Sequence, residues 1–171
     1  MFSREVITMP SSKQIIWPAY YQPSNCPIHV RNEIDIAAPA ERVWAWLIRA
    51  PLWPSWYVNS ANVRLLDGIS DLALGAVFRW KTFGVSIESV VQEWVPNERI
   101  AWTGKAFGLD VYHAWLIEKT ATGSHVLTEE TQHGFMVRLG KLFMPNRMST
   151  FHQIWLEGLR DNAMKGLPPP R

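Results

Sequence analysis

Two residues in this chain are of a type and spacing to do acid–base chemistry together. His113 alternates with Val111, Trp115 and Ile117, so its imidazole belongs to the apolar face of a strand. A neutral imidazole donates from one nitrogen and accepts on the other, and its ordinary pKa of about 6.5 moves readily with its surroundings. Glu130 shares parity with Val126 and Thr128 in the next extended stretch, and antiparallel pairing would carry its carboxylate toward His113. Enclosed in a cavity, His113 and Glu130 are the candidate catalytic residues, a pair able to shuttle a proton on an enolisable ligand. The plainer outcome is a hydrogen-bonded core histidine and a surface glutamate. His133 has the opposite parity to Glu130, so without a bulge only one of them faces inward.

Other chemistries find no support. The histidines stand at 29, 113, 125, 133 and 152, none three to five residues from another, so no paired-histidine metal motif exists and no metal is expected. Cys26 is the only cysteine and closes neither a disulfide nor a zinc site. There is no Gly-x-Ser-x-Gly elbow and no phosphate- or dinucleotide-binding glycine pattern, so no cofactor is expected.

The chain contains 10 tryptophans, residues that bury a broad apolar surface and carry one N–H donor. Strand parity groups several of them. Phe78, Trp80 and Thr82 share one face, Ile100, Trp102 and Gly104 a second, and Val111, His113, Trp115 and Ile117 a third. Phe151 and Trp155 project from a C-terminal helix. With Trp56, this makes the expected ligand-binding cavity wall Trp56, Phe78, Trp80, Trp102, His113, Trp115, Ile117, Phe151 and Trp155. The alternative is a core these side chains fill completely.

The elements that must position these residues follow from periodicity. Residues 1–28 hold Pro10, Pro18, Pro23 and Pro27, which forbid a long helix, together with Ile15, Ile16, Trp17, Tyr20 and Tyr21. This arm is expected to lie extended over the domain or to pair with a partner chain, and a homodimer is compatible with it. Its docking residues are expected to be Trp17 and Tyr20. From Ile28, alternation predicts a strand through Ile36. Pro39 and Glu41 then open a short helix with Val43, Trp44, Trp46 and Leu47 on one stripe, and Pro51 ends it. A second helical turn over 52–57 is broken by Pro54. Period-2 stretches predict strands near 62–66, 75–83, 85–95, 98–106, 110–119 and 124–136, joined by turns too short for anything but antiparallel pairing. Met144, Met148, Phe151, Trp155, Leu159 and Asn162 predict a long amphipathic helix, entered through Leu139, Leu142 and Phe143, with a kink at Pro145. The domain division is therefore an arm at 1–28, a domain at 29–166 and a proline-rich tail at 167–171. A six- or seven-stranded sheet has one face to cover, and the last helix alone is large enough to cover it.

Composition bounds the partners. The chain has 171 residues, 47% hydrophobic and 19% charged, enough for one real core. A net charge of +2 with no Lys/Arg run cannot drive binding to a polyanion, so nucleic acid is not an expected partner. The longest strongly apolar run, Val43 to Ile48, is far too short for an integral membrane segment, and no secretory signal is visible. The expected location is cytoplasmic.

Several stretches together resemble a known family. Ile34 to Trp44, Pro96 to Trp102, His113 to Ile117 and Trp155 to Leu159 are similar to the START-like, or Bet v 1-like (SRPBCC), superfamily, nearest to its bacterial polyketide cyclase/dehydrase and lipid-transport branch, over about residues 30–165. The resemblance implies an α+β helix-grip fold, a curved antiparallel sheet wrapped around the long C-terminal helix, with two short helices after the first strand and a cavity under the helix. It also implies binding or carriage of a small hydrophobic molecule of lipid, polyketide or aromatic character. The alternatives are a polyketide cyclase/dehydratase-type enzyme using His113 as acid/base, and a protein-interaction module. Whether the chain is an enzyme is left open, binding being favoured.

Overall fold

The computed structural model describes residues 14–66, 68–135, 137 and 146–171. The elements are β1 (Ile28–Ile36), α1 (Ala40–Ile48), a 3-10 turn (Ala50–Ser55), β2 (Ala61–Leu65), β3 (Val77–Thr82), β4 (Val85–Val95), β5 (Arg99–Ala106), β6 (Leu109–Thr120), β7 (Gly123–His133) and α2 (Arg147–Lys165). The strands form one sheet in the order β1-β7-β6-β5-β4-β3-β2, every neighbouring pair antiparallel. This is the expected α+β helix-grip fold with seven strands. β7 stops at His133 rather than at 136, because Gly134 takes a φ of 120° and turns the chain away. The proposed entry to the last helix through Leu139, Leu142, Phe143 and Met144, and the kink at Pro145, fall outside the described residues.

Alternation places Phe78, Trp80, Trp102, Trp115 and Ile117 on the inner face, where they join Leu47, Trp53, Tyr57, Trp155, Leu156 and Leu159 in one buried cluster. The indole of Trp53 is fully buried and stands within 6 Å of Phe78, Trp80, Trp102 and Trp155, its N–H donating to the Leu47 carbonyl at 3.0 Å. Tyr57 stacks on Trp155, centroids 4.5 Å apart. The buried stripe of α2 is His152, Trp155, Leu156, Leu159 and Ala163. Phe151, expected on that stripe, is only half-buried, because the helix is rotated to bring its neighbour His152 inward. Gly158 permits this approach. A Cβ there would stand 2.8 Å from the Trp56 carbonyl oxygen.

The outer face is covered too, against the expectation of a single face to cover. Ile15 and Tyr21 of the arm are buried against Ala101, Tyr112, Ala114, Leu116 and Leu127, with Trp17 packed alongside. Short 3-10 turns at Ala19–Tyr21 and Pro23–Asn25 let the proline-rich segment follow the sheet. Tyr21 donates its hydroxyl to Asp110 at 2.6 Å, and its carbonyl accepts from Thr131 at 3.0 Å. Trp17 packs on Tyr112 as expected, but Tyr20 is more than half exposed and stacks over His133 at the edge, so Tyr21 is the main anchor. No helix among the described residues is long and apolar enough to cross a membrane.

Candidate functional site

β6 and β7 place His113 directly opposite Glu130. Both face inward, and His113 Nδ1 stands 3.1 Å from Glu130 Oε2. The helix supplies a third member. His152 Nε2 lies 3.2 Å from the same carboxylate oxygen, and the two imidazoles stack with centroids 4.8 Å apart. His113 is 1%, His152 2% and Glu130 8% exposed. The other carboxylate oxygen accepts from the Gln132 amide at 2.5 Å.

The far side of His113 is also held. Its Nε2 lies 2.7 Å from Thr128 Oγ1, and that hydroxyl donates to the Ala114 carbonyl at 3.3 Å. Two neutral tautomers fit these distances: Nε2–H donating to Thr128, or Nδ1–H donating to Glu130 while the Thr128 hydroxyl donates to Nε2.

Burial pushes the pKa of His113 down to about 3, further than the neighbouring carboxylate can restore it, and the adjacent His152 adds to the depression. Burial alone would raise Glu130, but the two histidines and the Gln132 amide outweigh it and hold the carboxyl below its ordinary value. The centre therefore contains an ionised carboxylate between two buried rings. No lysine or arginine of the described residues pairs with it. An uncompensated buried charge costs several kcal/mol.

A pocket opens onto this centre, with a cavity volume of about 60 Å³. Of the residues named from the sequence, Trp80, Trp102, His113, Glu130 and Trp155 border this pocket. Phe78, Trp115 and Ile117 face the same side but pack in the core beside it. Trp56 sits half-buried against Gly158, because the 3-10 turn directs Trp53 and Tyr57 inward in its place. Phe151 meets Phe83 edge-on at the rim. Residues the sequence reading left out include Tyr57, Phe83, Ile87, Leu109, Gln132 and His152. His152 had a signal, since it stands three residues before Trp155 and four before Leu156 on the same helical face. The expected closed cavity is instead a pocket reaching the surface at Val85, which is 41% exposed.

The rim is conformationally specified. Phe83 and Gly84 join β3 to β4 with φ of 50° and 82°, the two-residue turn that needs positive φ at both positions. Phenylalanine adopts this backbone at a cost of about 1–2 kcal/mol. Its N–H donates to Asn59 Oδ1 at 2.8 Å, and the Arg147 guanidinium lies 5.1 Å from its ring centroid. Deeper in, Trp80 donates to Ser89 at 3.1 Å, whereas Trp155 Nε1, Trp115 Nε1 and His152 Nδ1 are buried without a hydrogen-bond partner. Burial raises the Tyr57 phenol well above its ordinary value, so it stays neutral. The pocket therefore offers an apolar aromatic wall and an anionic centre.

Residues 27–167 match the family model described as polyketide cyclase / dehydrase and lipid transport. The crystal structure of hypothetical protein jhp0584 from Helicobacter pylori is 32% identical, with 91% of this chain and 99% of that chain covered and a TM-score of 0.83. The di-domain ARO/CYC StfQ from the steffimycin biosynthetic pathway has the same fold at 13% identity, with 81% of this chain and 51% of that chain covered and a TM-score of 0.66. BexL, a di-domain ARO/CYC from the BE-7585A biosynthetic pathway, is similar at 20% identity, 84% and 51% coverage and a TM-score of 0.64. The chain thus spans about half of each di-domain protein. No curated protein matches the sequence.

Proposed function

The chain belongs to the polyketide cyclase / dehydrase and lipid transport family, and from that premise we propose that it binds a small hydrophobic molecule in the pocket beneath α2, oriented by the polar centre at its floor. The carrying observation is the contrast within the pocket, where a wall of Trp80, Trp102 and Trp155 ends at Glu130, His113 and His152. Apolar pockets with a few convergent polar groups are the usual form of small-molecule sites. At about 60 Å³ the cavity holds on the order of four waters. A fused-ring or acyl ligand therefore enters by displacing side chains such as Phe83, which lines the pocket and is braced by Phe151.

A cyclase/dehydratase reading with His113 as acid/base draws support from the 3.1 Å contact with Glu130. It is weakened by the depressed pKa of His113. At neutral pH such an imidazole has no proton to give as an acid and is a feeble base, since catalytic groups work best near the ambient pH. Binding is the better reading. The interaction-module alternative loses its motive, because the arm's Ile15 and Tyr21 are spent on the protein's own sheet.

Native mass spectrometry on protein purified from its own host tests the proposal, together with tryptophan-quenching titrations using a hydroxylated anthraquinone and a long-chain fatty acid. An organic adduct, or saturable 1:1 uptake of either probe that weakens in Trp102→Ala, is the expected result. Bare polypeptide and no saturable uptake would overturn it.

A further inference from the structure

We propose that His113, Glu130 and His152 form a binding site for one divalent first-row transition-metal ion, of the zinc or iron(II) type, at the floor of the pocket. The inference goes beyond the ligand-binding reading and does not depend on it. His113 Nδ1, Glu130 Oε2 and His152 Nε2 come from β6, β7 and α2 and lie within 4.8 Å of one another, all buried. Two of the three separations, 3.1 and 3.2 Å, match the spacing of about 3.0–3.4 Å that neighbouring donors adopt around a metal held at about 2.1 Å, while the widest, within 4.8 Å, must close to about 4.2 Å or less by a small ring shift for one ion to reach all three.

The hydrogen-bonding pattern strengthens the case. In the His113 tautomer protonated at Nε2, that N–H donates to Thr128 Oγ1, the Thr128 hydroxyl donates to the Ala114 carbonyl, and the Nδ1 lone pair is free to bind an ion. An ion held by His113 and Glu130 also offsets the charge of the buried carboxylate.

The surroundings are those of a ligand shell. Thr128 fixes the His113 ring, and Gln132 holds the Glu130 oxygen that faces away from the cluster. Such outer partners orient metal ligands and set which atom points inward. Two imidazoles and one carboxylate suit zinc, iron, cobalt or nickel and not magnesium or calcium, which prefer all-oxygen sites. Three protein donors leave coordination positions directed at the pocket, where a carbonyl or hydroxyl oxygen of a bound molecule would reach the ion.

The experiment uses tag-free full-length protein, stripped with a chelator and titrated with cobalt(II), whose visible absorption reports its ligands. One equivalent is expected to saturate the signal, and zinc(II) to displace it. Glu130→Gln and His152→Asn are each expected to weaken binding on the order of a hundredfold or more. Cys26→Ser and His133→Asn, which disrupt the separate Cys26–His133 contact at 3.1 Å, are expected to leave it unchanged. X-ray absorption of the zinc-loaded wild type needs no variant and is expected to show nitrogen and oxygen neighbours including two imidazoles. Absence of stoichiometric binding, sulfur ligation, or affinity unaffected by both Glu130→Gln and His152→Asn overturns the proposal.

Discussion

The two faces of the sheet use the same building materials to opposite ends. On the outer face, Trp17, Tyr21 and Tyr112 pack together, and polar groups of Tyr20 and Tyr21 find partners. Tyr21 donates to Asp110, its carbonyl accepts from Thr131, and the Tyr20 carbonyl lies 2.9 Å from His133 Nε2. On the inner face, equally dense aromatic packing leaves Trp115 Nε1, Trp155 Nε1 and His152 Nδ1 without partners beside an ionised carboxylate. Aromatic content therefore does not distinguish a structural face from a functional one. The balance of polar atoms does, because an unsatisfied buried group is expensive and is retained where something else completes it.

The comparison breaks most sharply at Trp102, which is 1% exposed and packs on Trp53, Phe78, His113, Trp115 and Trp155. Trp102→Ala is expected to cost roughly 3–5 kcal/mol in chemical denaturation. A loss below about 1 kcal/mol with altered probe uptake would make Trp102 a wall of open space and not part of the core.

Removing residues 1–24 tests the outer face alone. It exposes the surface under Ile15 and Tyr21, worth about 4 kcal/mol at roughly 2 kcal/mol per buried side chain. A fall of about 10 °C in Tm is expected for a chain of this size, with probe binding on the inner face retained. An unchanged Tm would reduce the arm to a passive tail.

Acid should affect the inner face first. In metal-free protein the unfolded chain protonates at His113 as pH falls through about 6.5, while the folded protein resists until about 3. Glu130 is shifted the same way, staying ionised when folded at pH values where the unfolded chain takes up a proton. Both groups make stability fall on acidification, from about pH 6.5 through His113 and below about 4.5 through Glu130. Urea midpoints at pH 7.5, 5.5 and 4.5 should decline accordingly. His113→Gln should flatten the decline above pH 4.5 and cost about 1 kcal/mol of ligand affinity at neutral pH. A wild-type midpoint constant from pH 7.5 to 4.5 would contradict the buried-centre electrostatics.

The smallest effect is expected at Gly104, which lines the pocket. A Cβ there would meet Ile87 Cγ2 at 3.1 Å and Ser89 Oγ at 3.4 Å. Gly104→Ala should shift stability by less than about 1 kcal/mol while reducing uptake of the larger probe. Unchanged uptake of both probes would show that the bound molecule does not reach Gly104.

The sequence alone determined the strand order in time, the inward parity of His113 and Glu130, and the amphipathic last helix. These follow from periods of 2 and 3.6 that are written locally, and antiparallel pairing across the short β6–β7 turn then sets His113 opposite Glu130. The tertiary structure decided what no local period encodes. The rotation of α2 puts His152 into the centre and Phe151 at the rim, because it depends on how closely Gly158 lets the helix approach Trp56. The turn after α1 chooses Trp53 and Tyr57 over Trp56, and the arm, whose prolines and aromatics carry no period, finds its place only once the sheet exists to receive it. Most of all, three ligand-type atoms meet from positions 113, 130 and 152. Spacing rules detect donors that share one turn or one helix face, and these converge across a strand pair and a helix whose relative placement is a property of the packed whole.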